Sequence, residues 1–208
     1  MERLVEGFKK FQSEVFRAKR DLFTRLSQTQ EPRALFITCS DSRIDPTLLT
    51  QTEPGELFIL RNAGNIVPSY GAMMGGSTAT IEYAVSVLGV KHVIVCGHTD
   101  CGVMKAILHP ETVENLPAVK NWVGEAEATR RIVRENYPDL REEDLLVATI
   151  QENVRVQLSH LRTHPGVAAR LRRGTLTIHG WVYSIPTGDI WAYDDEKGVF
   201  ESLVDSKT

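Results

Sequence analysis

The sequence predicts an α/β fold: a mainly parallel central sheet flanked by helices, preceded by an N-terminal helical arm. Three observations carry this. The short apolar runs ALFIT (34–38), LFILRN (57–62) and HVIVCG (92–97) read as strands buried on both faces, as parallel strands are. Stretches of helical character separate or follow them, at about 77–89, 118–136 and 142–162. No repeat, low-complexity tract or linker divides the 208 residues, so 1–208 reads as one domain. The predicted strand order is 2-1-3-4, with an antiparallel edge strand.

Taken in order, residues 1–28 read as helix. Leu4, Val5, Phe8, Phe11, Val15 and Phe16 give an apolar stripe, and QTQEPR ends it. After ALFIT comes EPGE (53–56), a turn in which proline presets φ and glycine supplies the flexible position. LFILRN follows as the second strand. The stretch GAMMGGSTATIEYAVSVLGV starts glycine-rich and becomes helical from about Ser77 to near Gly89. It lacks the Lys-Ser/Thr of a phosphate-binding loop. HVIVCG is the third strand, and Cys101–Leu108 a short helix. Residues 118–136 are helical, with EATRRIVRE a solvated face. Residues 142–162 form a long helix, although LLVATI alone also suits a strand, and Pro165 restarts a helix to Arg173. TLTIHGWVYSI (175–185) and DIWAYD (189–194) read as a strand pair across PTG, the second antiparallel.

Bulk composition excludes several classes of function. Lys plus Arg number 24 and Asp plus Glu 27, a near balance that argues against nucleic-acid binding through bulk charge. No apolar run approaches the ~18 residues of a membrane span. MERLVEGFKKFQSEVFRAKRDLF mixes charges among its apolar residues, unlike a secretory signal. Three cysteines are an odd count without disulfide-like spacing. The expectation is a reduced, cytoplasmic protein whose cysteines serve metal binding or chemistry.

The chemistry concentrates at strand ends, where ligands sit in parallel sheets. ITCSDSRIDP (37–46) ends the first strand in Cys39, with Asp41 and Arg43 just beyond. CGHTDCG (96–102) ends the third strand in His98 and adds Cys101, with glycines flanking at 97 and 102. A turn of that spacing aims both side chains at one ion, and strand adjacency must bring Cys39 to them. A Cys/His/Cys set suits tetrahedral zinc and leaves one position over. Asp41 either fills that position or turns to Arg43 in a charge-assisted fork. Cys96 reads as core packing and Asp100 as solvent-facing. His92, His109, His160, His164 and His179 read as structural or exposed.

In CSDSR and HTDCG, and in EPGELFILRNAGN, ATIEYAVSVLGV, HVIVCGH and LTIHGWVY beside them, the sequence resembles the β-class carbonic anhydrases of bacteria. The resemblance spans most of the chain. It implies one Zn2+ per subunit on Cys39, His98 and Cys101. It implies a catalytic pair, Asp41 and Arg43, with Asp41 a fourth zinc ligand in a closed state. It implies CO2 and bicarbonate as substrates, interconverted through zinc-bound hydroxide. Gln30 and the Gly102 N–H are implied to hold bicarbonate, and Phe58 with a neighbouring subunit's Tyr83 to wall an apolar CO2 pocket. Active sites at the interface of a homodimer or larger homo-oligomer follow, with arm 1–28 packing on the partner. Some relatives carry a noncatalytic bicarbonate pocket of Trp, Arg and Tyr; Arg61 and Tyr183 match two members, but Phe36 stands at the tryptophan position, and an ordinary buried Arg61–Tyr183 pair is expected. Two other readings remain at this level: hydrolysis of carbon disulfide or carbonyl sulfide at the same site, and a zinc-stabilised scaffold without turnover.

Overall fold

The computed structural model describes residues 1–204. They fall into two compact units, Met1–Glu31 and the described residues from Pro32 onward.

The first unit is helical throughout most of its length: α1 (Glu2–Lys10), a π turn (Phe11–Val15), α2 (Phe16–Ala18) and α3 (Arg20–Leu26). The single helix expected over 1–28 is therefore interrupted, at the π turn and at Lys19, whose φ/ψ of −111/24 leaves the helical region. Phe23 stacks on Phe16 at 5.2 Å and meets Phe11 edge-on at 5.8 Å. Leu4 and Phe8 stay largely exposed, and none of the helical residues is buried.

The second unit is built on a six-stranded sheet of order β2-β1-β3-β4-β5-β6: β1 (Ala34–Cys39), β2 (Leu57–Asn62), β3 (His92–His98), β4 (Thr177–Tyr183), β5 (Ile190–Asp194) and β6 (Val199–Ser202). The first four run parallel, as expected. β5 and β6 are antiparallel, so the edge is a two-strand meander. β6 went unforeseen because VFES is four residues long and offers no apolar run. Strand alternation divides the interior in two. Leu35, Ile37, Cys39, Val93 and Val95 enter the larger core. Ala34, Phe36, Ile94 and Cys96, one residue out of phase, enter a smaller one on the other face.

Helices connect the strands. α4 (Pro46–Thr50) is a five-residue helix that sequence reading missed. Its start was written in the sequence: Asp45 accepts from the N–H groups of Thr47 (3.0 Å) and Leu48 (3.1 Å), and Pro46 is the first helical residue. α5 (Gly76–Glu82) runs through a π turn at Tyr83–Val87 and stops before Gly89, whose φ is +69°. α6 (Gly102–Leu108) follows the Cys101 turn. The stretch expected as one helix over 118–136 is two, α7 (Pro117–Gly124) and α8 (Glu127–Asn136), because the chain turns at the fully buried Ala126. α9 (Glu142–Thr163) is the 22-residue spine of the larger core, opened by three acidic residues that suit a helix N-terminus. It buries Ile150, Val154, Leu158 and Leu161, and α10 (Pro165–Arg172) follows it. Gly180 on β4 admits α9 this closely: a Cβ there would stand 2.7 Å from Val154 Cγ1 and 2.9 Å from Leu158 Cδ1.

Candidate metal centre

β1 and β3 are parallel neighbours that end at the same edge of the sheet. Cys39 closes β1, His98 closes β3, and Cys101 caps α6 one turn later. Their donor atoms lie within 4.8 Å of one another, and all three side chains are buried. The 59-residue gap between Cys39 and His98 is thus spanned by strand pairing. Among the described residues this is the one group of three or more Cys, His, Asp or Glu side chains arranged to hold an ion.

The surroundings fit a metal. His98 Nδ1 donates to the Thr99 carbonyl at 2.8 Å, an acceptor only, which fixes the tautomer and leaves the Nε2 lone pair free. That Nε2 is buried without a hydrogen-bond partner, an orphan of the kind a cation satisfies. The Gly64 N–H donates to Cys39 Sγ at 3.3 Å. Cys39 is lowered from its ordinary value, first by the hydrogen bond from the Cys101 thiol, against the cost of burial, and then by His98 and Gly64. Cys101 is raised by sharing its proton with Cys39 and by burial. One thiolate is therefore ready, and a bound cation would displace the proton of the second. Burial disfavours charge on His98, but Cys39 facing it more than offsets this and raises it. Cys96 is core, as expected, its thiol pushed up to about 12 by burial.

Asp41 stands beside this group without joining it. Its Oδ2 is 3.9 Å from His98 Nε2. The carboxylate faces Arg43: Nε reaches Oδ1 at 3.0 Å, Nη2 reaches Oδ2 at 2.8 Å, and the Arg43 backbone N–H adds 2.9 Å to Oδ1. This fork holds Asp41 far below the usual carboxylate range and raises Arg43. Arg43 is anchored in turn. Its Nη1 donates to Asp100 Oδ2 at 2.9 Å, and Asp100 also pairs with Lys105. Asp100 is solvent-facing, as expected, and it also belongs to this ion-pair chain, on a left-handed backbone (φ +60°).

The comparisons decide the family. Residues 34–190 match the model of the carbonic anhydrase family. The chain is 51% identical over 205 residues to a carbonic anhydrase of Synechocystis, covering 98% of this chain and 74% of that protein. It is 49% identical over 205 residues to a carbonic anhydrase of Pseudomonas aeruginosa, covering 99% and 93%. Among solved structures, the β-carbonic anhydrase CcaA superposes with a TM-score of 0.95 at 49% identity, over 97% of this chain and 98% of that one. A Coccomyxa β-carbonic anhydrase, solved with acetazolamide, gives 0.80 at 30% identity over 97% and 85%. This chain is a β-class carbonic anhydrase. It interconverts carbon dioxide and bicarbonate, releasing a proton in hydration.

Within this carbonic anhydrase the remaining expected residues are placed as follows. Phe58, on β2, and Tyr83, at the π turn after α5, lie in one chain with rings 6.0 Å apart, and Tyr83 is 46% exposed. Gly102 opens α6 with nothing within 4 Å of where a Cβ would be. Gln30 is exposed in the N-terminal unit. Arg61 corrects an expectation: it is exposed, and it donates to the backbone carbonyls of Cys39 (Nε, 3.0 Å) and Asp41 (Nη2, 2.6 Å). It thereby staples the loop carrying Asp41 to β2. Phe36 packs edge-on against Trp181 at 6.1 Å, in the smaller core that also takes Tyr183.

Sequence reasoning also missed the Gly64 support. Gly64 (φ +78°) lies against Val103, and its carbonyl accepts from Asn153 Nδ2 at 3.1 Å. The signal was the RNAGN segment, where a glycine stands two residues beyond the end of β2.

Proposed function

We propose that Cys39, His98 and Cys101 hold one zinc ion per subunit, and that Asp41 and Arg43 are the catalytic pair. The carrying observation is the buried Cys–His–Cys convergence, with an orphaned imidazole nitrogen, next to a carboxylate turned to an arginine. Zinc held there would supply an acidified water, the nucleophile that CO2 requires. The protein's part is separable. Asp41, locked as a carboxylate, accepts hydrogen bonds only, so it orients whichever substrate oxygen carries a hydrogen. Arg43 keeps Asp41 from coordinating, and release of this fork would let the carboxylate close the site. Phe58 and Tyr83 offer an apolar wall for a linear, uncharged substrate, and the Gly102 N–H and Gln30 offer donors to its anionic product.

We further propose a homodimer or larger homo-oligomer, with arm 1–28 seated on a partner and Tyr83 contributed across the interface. In support, the arm exposes Leu4 and Phe8, and a Sordaria macrospora β-carbonic anhydrase 29% identical to this chain (TM-score 0.76, over 92% of each chain) is described as tetrameric. A reduced, cytoplasmic setting accords with three free cysteines. Among the described residues no helix is long and apolar enough to cross a membrane.

Zinc analysis combined with stopped-flow CO2 hydration tests the site. Wild type should carry one zinc per chain and turn over; Cys39→Ser should lose both. A Cys39→Ser protein that keeps full turnover overturns the assignment. Running carbon disulfide in parallel tests the sulfur-substrate reading, and turnover of CO2 by itself disposes of the scaffold.

A further inference from the structure

β3 and β4 begin with three polar side chains on one face. His92 pairs in register with Thr177, and Ile94 with His179, so His92 and His179 are diagonal neighbours. His92 Nδ1 lies 2.6 Å from Thr177 Oγ1 and 3.3 Å from His179 Nε2; Thr177 Oγ1 lies 3.1 Å from that same Nε2. The two rings are 5.4 Å apart at 46°. His92 and Thr177 are exposed and His179 partly so.

We propose that His92 and His179 form a second site for a divalent ion of the borderline transition metals, Cu2+, Ni2+ or Zn2+. The geometry is that of a chelate. Two imidazole nitrogens bound at 2.0–2.1 Å to one tetrahedral ion stand about 3.3–3.4 Å apart. The observed 3.3 Å matches this bite without any movement of the strands. The Thr177 hydroxyl, 2.6 Å from His92 Nδ1 and so too close to share an ion with it, also reaches the Lys91 carbonyl at 3.5 Å and stands beside the imidazole pair as a hydrogen-bonding neighbour. Imidazole donors select Zn2+, Cu2+ and Ni2+ over Ca2+ and Mg2+, which prefer oxygen. His179 is lowered by burial and by His92, so its ring stays neutral and available as a donor.

This site is independent of the Cys39 centre. His92 and His98 are the two ends of β3, six residues apart, which is roughly 20 Å along a strand. A metal here would clip β3 to β4 at the end of the sheet remote from catalysis. Trp181 lies 6.4 Å from the His179 ring and provides a local reporter.

The test titrates zinc-loaded enzyme with Cu2+, following electron paramagnetic resonance, tryptophan fluorescence and retained zinc. One further copper per chain is expected, with coupling to two nitrogens, quenched fluorescence, unchanged zinc content and a raised melting temperature. His92→Gln and His179→Ala should each lose the two-nitrogen signal while keeping CO2 hydration. His92 is exposed, so His92→Gln serves as the test should His179→Ala fold poorly. The proposal is overturned if no second ion binds, if copper displaces the zinc, or if the two-nitrogen signal survives in the double variant.

Discussion

Gly64→Ala joins backbone, packing and metal site in one perturbation. Gly64 has φ +78°, where an L-residue pays about 1–2 kcal/mol. An added Cβ would also stand 2.6 Å from Val103 Cγ1, 2.9 Å from Val103 Cβ and 3.2 Å from Met104 Cε. Ordinary carbon contacts lie at about 3.5–4.0 Å, so Val103 must retreat by roughly 1 Å. Overpacking of this kind costs about 1–3 kcal/mol. The two effects together give a loss of about 2–5 kcal/mol. Val103 is the second residue of α6, so its retreat drags Cys101, while the Gly64 N–H shifts off Cys39 Sγ. Loss of such supporting contacts lowers metal affinity by about 10–100-fold. Urea unfolding of the zinc-loaded protein and competition with a chromophoric chelator read the two effects separately. Gly71→Ala is the control, because Gly71 shares a positive φ (+92°) but has nothing near its Cβ position. A Gly64→Ala protein destabilised by less than about 0.5 kcal/mol, the range of ordinary surface changes, with an unchanged chelator midpoint would refute the reasoning.

Asp100→Asn keeps the shape and tolerates the left-handed backbone but removes the charge that anchors Arg43; kcat/KM for CO2 should fall by roughly tenfold or more at constant zinc content, as expected for a misplaced catalytic group, and wild-type kinetics would sink the idea. Gly180→Ala should cost about 1–3 kcal/mol by driving α9 off the sheet, measured by the urea midpoint, and an unshifted midpoint would show that Val154 and Leu158 yield freely. His164 is lowered below 6.5 by burial, with the charge of His160 adding and its hydrogen bond to Pro68 opposing. Below pH 6.5 the unfolded chain therefore binds a proton that the folded chain refuses, so stability falls as pH drops from 6.5 toward the folded value. His164→Gln should flatten that part of the pH–stability curve, and an identical slope in both proteins counts against it.

The sheet's parallel half was legible because burial on both faces forces uninterrupted apolar runs. β2 matches LFILRN to the residue, and β1 and β3 each extend the expected run by the one residue that carries site chemistry, Cys39 and His98. Those two were readable as donors because a thiol or an imidazole at a strand end has little packing role. Elements that rest on polar contacts were hidden. α4 is set by an Asp45 cap and a proline, β6 by pairing with β5, and the break between α7 and α8 by the burial of Ala126. The pairing of Asp100 went unseen, and Arg61 was misjudged, for a related reason. Each acts through a partner distant in sequence, Arg43 for one and the carbonyls of Cys39 and Asp41 for the other. His92 and His179, 87 residues apart, were read singly as structural or exposed, and only strand register pairs them.

The same contacts explain why an aspartate can stand 3.9 Å from a metal-ready nitrogen and still not belong to the donor set. A free carboxylate there would be drawn to any cation that Cys39, His98 and Cys101 hold. Three groups oppose this in series: Arg43 occupies both carboxylate oxygens, Asp100 fixes the far side of the guanidinium, and Lys105 fixes Asp100 from the first turns of α6. Arg61 meanwhile pins the backbone on which Asp41 rides. Because α6 also carries Cys101 at its start, the helix that positions one donor also sets the last member of the chain restraining Asp41. A displacement of α6 therefore acts on the donor set and on Asp41 together.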